Sequence, residues 1–277
     1  MTRRSTALRV AAVIVTLTLA RAAHAASVDG ANVHWTSHGR GPAIIFVHGW
    51  TCDATSWDAQ VPAFSRTHRV ITLDLPGHGQ SAQPKDGRFS MELFARAIEA
   101  VRKEAGVDRA VFVGHSMGGP VVRQYALTYP AHVAALVLVD GLVLMKDDGT
   151  ARQPPAPMTG PEGRKARETM VRGMFGPKTT AANQQHILKM MLDTSEQTAS
   201  GAMNATWDRS TWSNDPVSVD VLGIYADRSR VANRAAMKIL YPSLEYHEVA
   251  GTGHFVMMDD PDSFNALVNT FLERRKF

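Results

Sequence analysis

A serine hydroxyl is a poor nucleophile near neutral pH unless a neighbouring base removes its proton. Ser116 stands in Gly114-His115-Ser116-Met117-Gly118, the G-x-S-x-G spacing. The apolar run Arg109 to Val113 precedes it and reads as a short buried strand. Met117 to Tyr129 can run as a helix until Pro130 stops it. Strand, G-x-S-x-G and helix together are the context of a nucleophile elbow. Such a turn forces a strained backbone at the serine, and side chains two residues to either side would collide with it, so glycine is required there. The strain leaves the hydroxyl exposed at the carboxyl end of a strand. Taken alone, G-x-S-x-G is also compatible with an ordinary glycine-rich turn, and its flanks favour the catalytic reading.

The elements that must position this serine alternate along the chain. Ala43 to Val47 (AIIFV), Arg69 to Leu75 (RVITLDL) and Val133 to Val139 (VAALVLV) are apolar runs rich in β-branched residues, as expected of strands covered on both faces. Val28 to Thr36 reads as an arm of an antiparallel edge hairpin. Thr55 to Phe64 can form a short helix. Ser90 to Ala105 has helical spacing with Met91, Phe94, Ala97, Ile98 and Val101 on one face, closed by Gly106. From Val219 come a strand (VDVLGIY), a helix near Val231 to Leu240, a strand (LEYHEVA) and a helix from Pro261 to Arg275. This rhythm predicts an α/β fold, a mostly parallel sheet with helices on both faces. Ligands of such sheets bind at the carboxyl ends of the strands. His48, Ser116, Asp140, Asp227 and His254 all follow predicted strands at that end.

Residues 142–216 break the alternation. Pro154, Pro155, Pro157 and Pro161 mark an irregular entry, followed by amphipathic helices around Glu162–Phe175, Thr179–Leu192 and Glu196–Trp207. Seven of the chain's 13 methionines lie here: Met145, Met158, Met170, Met174, Met190, Met191 and Met203. They fit two roles, packing the insertion onto the sheet domain and lining an adaptable apolar pocket beneath a lid.

The first 25 residues read as an export signal. Arg3, Arg4 and Arg9 form a basic start, Val10 to Ala20 is a short apolar run, and Ala23-His24-Ala25 supplies an A-x-A cleavage site. The apolar run is too short to span a bilayer comfortably. The expected mature protein is a single domain, 26–277, in a bacterial periplasm or medium. The whole chain has 30 Lys and Arg against 26 Asp and Glu; the signal holds four arginines and no acid, so the mature chain is neutral. Its charge therefore gives no reason to expect nucleic acid or membrane lipid as a partner. Cys52 is the sole cysteine, which excludes an intrachain disulfide, and the histidines lack the company of a zinc motif.

Four motifs in order, HGW (48–50), DLPGHGQS (74–81), GHSMGG (114–119) and GTGHF (251–255), with a helical insert between the last two, resemble the α/β-hydrolase fold family across essentially the whole mature chain. The resemblance implies Ser116 as nucleophile and His254 as general base, with oxyanion stabilisation from the backbone N–H groups of Trp50 and Met117. His48, His78 and His115 are expected to be structural, and Cys52 a small buried filler. The triad acid departs from the commonest family pattern. There it sits a few residues past the strand after the insert, and here that place holds Ser229, with Asp227 two residues early. Asp140 ends the strand before the insert, where some family members carry theirs. Asp140 is the favoured acid and Asp227 the alternative. The implied reaction is hydrolysis of a carboxylic ester or lactone, a small-molecule substrate, through an acyl-enzyme with no cofactor and no metal. Carbon–carbon hydrolysis, aminopeptidase or perhydrolase chemistry and a non-catalytic sensing role are the alternatives.

Overall fold

The apolar runs form one eight-stranded sheet in the computed structural model, which describes residues 23–146 and 159–277. The strands are β1 (Ala23–Val28), β2 (Ala31–His38), β3 (Ala43–Val47), β4 (Arg69–Leu73), β5 (Ala110–His115), β6 (Val133–Val139), β7 (Asp220–Ala226) and β8 (Leu244–Val249), in spatial order β1-β2-β4-β3-β5-β6-β7-β8. From β4 to β8 all neighbours are parallel, while β1, β2 and β4 pair antiparallel at one edge. Every residue of β3 and β5 is buried, as unbroken apolar runs between two helical layers require.

The helices are α1 (Gln60–Phe64), α2 (Met91–Glu104), α3 (Gly118–Thr128), α4 (Gly160–Arg172), α5 (Ala181–Asp193), α6 (Glu196–Trp207), α7 (Arg234–Leu240), α8 (Val256–Asp259) and α9 (Pro261–Arg275). The Ser90 hydroxyl caps α2 by accepting from the Leu93 N–H at 3.0 Å. Helices α4, α5 and α6 form the insert between β6 and β7. The expected prolines at 154, 155 and 157 and Met158 lie outside the described residues, as do residues 1–22 of the expected export signal.

Two elements differ from expectation. The edge arm Val28 to Thr36 is broken by a two-residue turn at Asp29 and Gly30, whose φ values of 50° and 73° are the positive pair of a tight hairpin. The helix expected over Thr55 to Phe64 divides into a 3₁₀ turn, Ala54–Trp57, and α1. The Asp53 carboxylate starts that turn, accepting from the Thr55 N–H at 2.8 Å, and fully buried Trp57 packs on Phe46 of β3 with ring centroids 4.9 Å apart.

Candidate active site

The turn between β5 and α3 holds Ser116 at φ 52°, in the left-handed region that a non-glycine residue enters only at a cost. Its N–H donates to the Val139 carbonyl at 3.0 Å, and its own carbonyl accepts from Gly119 and Leu142 N–H groups at 3.0 and 3.1 Å. These bonds tie the turn to both α3 and the segment after β6. The glycine requirement is steric: a Cβ at Gly114 would stand 2.4 Å from the Gly118 carbonyl oxygen, and one at Gly118 2.5 Å from that of Val47.

His254 lies in the loop between β8 and α8, and its Nδ1 is 2.6 Å from Asp140 Oδ2. A carboxylate only accepts, so Nδ1 carries a proton, and in the neutral ring the lone pair is then on Nε2. Asp140 directly follows β6 at φ 38°. Its N–H donates to the Ile224 carbonyl at 2.9 Å, and its Oδ1 accepts from the Ala226 N–H at 3.2 Å. The side chains of His254 and Asp140 are 11% and 3% exposed, so the pair is shielded from competing water. Asp227, the other candidate acid, is exposed beyond the end of β7 and makes no contact of this kind with His254.

Ser116, Met117, Trp50 and His254 line one cavity of about 410 Å³. Among the described residues, the backbone N–H groups of Trp50 and Met117 have no hydrogen-bond partner, and no hydrogen bond joins Ser116 Oγ to His254. The indole of Trp50 donates to the Ala199 carbonyl of α6 at 2.7 Å, which anchors the loop after β3 to the insert.

Three fully buried histidines, His48, His78 and His115, pack around this arrangement. His48 Nδ1–H donates to the Gly49 carbonyl at 2.8 Å, and its Nε2 accepts from the Leu75 N–H at 2.9 Å. Burial lowers the pKa of His48 and pushes that of His78 down to about 3, with nearby His48 lowering the latter further, so both stay neutral. His115 Nε2–H donates to the backbone carbonyl of His254 at 2.9 Å, and burial followed by the proximity of His254 pushes its pKa well down. Cys52 is buried in the cavity wall, and burial raises its thiol far above the usual range, leaving no thiolate to react.

The sequence reading missed Asp259. Its Oδ2 accepts from the Gly253 N–H at 2.6 Å and from the Thr179 hydroxyl at 2.9 Å, behind the loop that carries His254. Burial raises this carboxyl above its ordinary pKa.

Residues 42–261 match the family model described as alpha/beta hydrolase fold. An uncharacterized protein of Mycobacterium tuberculosis is 26% identical over 262 residues, covering 85% of this chain and 76% of the relative. Among solved structures, a putative aryl esterase from Burkholderia cenocepacia superposes with a TM-score of 0.79 at 22% identity, over 91% of this chain and 98% of that one. Est816, described as an N-acyl homoserine lactone degrading enzyme, gives 0.76 at 24% identity over 90% of this chain and 100% of that one.

Proposed function

The chain belongs to the alpha/beta hydrolase fold family, and from that premise we propose that it is a serine hydrolase of carboxylic esters or lactones. The observation that carries the proposal is the 2.6 Å contact with Asp140 of Nδ1 of His254, which lines the same cavity as Ser116. In this reading Ser116 Oγ attacks the carbonyl carbon while His254 Nε2 takes its proton, and Asp140 stabilises the resulting imidazolium. The negative oxygen of the tetrahedral intermediate accepts from the Trp50 and Met117 N–H groups, neither of which has another partner among the described residues. Collapse breaks the bond to the alcohol oxygen, which leaves with the proton from Nε2. Water then attacks the acyl-serine with the same proton exchange, releasing the carboxylic acid and restoring Ser116. With a lactone the alcohol stays tethered to the acid. Met170, Met174, Met191, Met203 and Trp207 of the insert would take the apolar part of the substrate, which makes the insert a lid.

The test is a burst of p-nitrophenol from a short-chain ester, equal to the enzyme concentration and absent in Ser116→Ala. A fluorophosphonate probe should label Ser116 in the wild type. Absence of both burst and label would remove the proposal and leave a ligand-sensing role.

Export belongs to the same proposal. The described part of β1, Ala23–Val28, includes the A-x-A motif, so cleavage after Ala25 removes residues of an edge strand only and leaves β2 to β8 whole. Sequencing the amino terminus of protein recovered outside the cytoplasm tests this, with Ala26 as the expected first residue.

A further inference from the structure

The cavity around Ser116 is apolar along the insert and cationic at one place. Among the described residues, the charged or titratable side chains in its wall besides His254 are His115, held neutral, and inert Cys52, together with Arg228 and Arg230 on the loop after β7. Among the described residues, no aspartate or glutamate lines it. Both arginines are exposed, and among the described residues neither forms an ion pair. The loop that carries them is built rather than slack: Ser229 N–H donates to the Ala226 carbonyl at 3.1 Å, and the Ser229 hydroxyl accepts from the Val231 and Ala232 N–H groups at 3.3 Å each. With Ser229 in that place and the carboxylate that meets His254 at the end of β6, this loop presents two cations to the cavity and, among the described residues, no compensating acid.

Unpaired like charges beside a low-dielectric wall concentrate anions at the cavity. Strands β5, β6 and β7 are adjacent, so the loop after β7 lies two strand spacings from Ser116, roughly 10 Å. We propose that the substrate is an amphiphilic anion. Its ester carbonyl sits at Ser116, its apolar stem lies against the methionines and Trp207, and a carboxylate roughly 10 Å along the stem meets Arg228 and Arg230. This rests on the serine-hydrolase reading and narrows it to monoesters of medium-chain dicarboxylic acids and compounds of like shape. Arg228 and Arg230 are then specificity-determining residues.

Binding without turnover tests this in the full chain carrying Ser116→Ala. Monomethyl suberate and dimethyl suberate share one stem, and the diester has the additional methyl, so a purely apolar cavity prefers the diester. Binding is followed by fluorescence of Trp50 and Trp207, both in the cavity wall. At low salt the monoester should bind about five- to tenfold tighter, the preference shrinking towards about 0.5 M salt as screening sets in. Adding Arg228→Gln and Arg230→Gln should abolish the preference, and Arg230→Glu should invert it. Equal or tighter binding of the diester to Ser116→Ala overturns the proposal, and so does a monoester preference that survives loss of both arginines. Since no acylation is measured, failure of the burst experiment is a separate result.

Discussion

The backbone N–H of His254 donates to the Met174 carbonyl at 2.8 Å, so the loop carrying the imidazole hangs from the insert as well as from the sheet. The junction is dense. Lys178 N–H donates to the Gly251 carbonyl at 2.9 Å, and Asp259 accepts from Thr179 and Gly253 together. The backbones touch closely enough that a Cβ at Gly176 would stand 2.2 Å from the Gly253 nitrogen, and one at Gly253 2.3 Å from the Met174 carbonyl oxygen. The elbow between α4 and α5 is therefore part of the scaffold of His254. Any motion of the insert that pulled on this elbow would also move the imidazole.

Asp259 is the side chain that joins the two halves of that junction. Asp259→Ala removes the acceptor for two donors and should lower kcat by up to about 100-fold through displacement of His254. Asp259→Asn keeps an oxygen for both donors and should retain most of the activity. Burial raises the folded pKa of Asp259 above 3.8. The fold thus favours its protonated form, and ionisation costs stability as pH rises through the folded pKa. Thermal melts should show the Asp259→Asn variant gaining on the wild type from acid towards neutral pH. A loss of kcat as large in the asparagine variant as in the alanine variant would show that the oxygen acceptor is not what matters.

Much of this was legible in the sequence, for steric and solvation reasons. Gly114 and Gly118 can be read because no other residue fits beside the serine, and β3, β5 and β6 because strands covered on both faces tolerate little but apolar residues. Asp259 could not be found this way. It stands beside Asp260, whose carboxylate caps α9 by accepting from the Ser263 N–H at 3.1 Å. Along the chain the two acids look alike, and their partners in the fold separate them: Asp259 accepts from Thr179 and Gly253, while Asp260 meets Lys178. The same holds for Asp140 and Asp227. Both end adjacent strands, and it is the turn of the backbone at Asp140, φ 38°, that goes with a carboxylate directed at His254. The Asp29-Gly30 break was visible as a two-residue hairpin signal, hidden by the strand character of residues on both sides.

Gly118 tests how tightly the elbow is packed. A methyl at this position meets the carbonyl oxygens of Val47 and His48 at 2.5 and 2.7 Å, both backbone atoms of β3 and the loop after it. Relief requires the strand to move, so Gly118→Ala should cost about 3 kcal/mol or more. Gly106, with φ 62° and no atom within 4 Å of where a Cβ would stand, isolates the backbone term. Gly106→Ala should cost about 1 kcal/mol. Urea unfolding of both variants makes the comparison, and equal losses would refute the steric account of the elbow.

Glu99 of α2 sets an acid limit on stability. Burial alone would raise its pKa, but hydrogen bonds from Arg102 at 2.7 and 2.8 Å and from the Tyr125 hydroxyl at 2.8 Å outweigh burial and hold it at about 2. A carboxyl depressed in the fold contributes stability above its ordinary value of 4.5, and the contribution is lost as pH falls through about 2. The difference corresponds to roughly 3 kcal/mol at neutral pH. Glu99→Gln should therefore lower stability by about that much near neutral pH, partly because Arg102 is left buried with its charge unpaired. The gap between variant and wild type should narrow as the pH is lowered from 4.5 to about 2. A gap that stays constant over that range would mean that the carboxylate's charge contributes nothing.

The choice of acid partner for His254 is open to a direct comparison. Asp140 meets Nδ1 at 2.6 Å, and its other oxygen is held by the Ala226 N–H, so Asn in its place preserves shape but can turn its NH₂ to the imidazole. The proton would then move to Nε2, and the ring could no longer accept from Ser116. Asp140→Asn should lower kcat on the order of 10⁴-fold with little change in thermal midpoint. Asp227, exposed on the next strand's loop, should tolerate the same change with activity within a factor of about two, since surface substitutions of this kind seldom exceed about 0.5 kcal/mol. A collapse of kcat in Asp227→Asn, with Asp140→Asn nearly unaffected, would reassign the acid and require the loop after β7 to rearrange before each turnover.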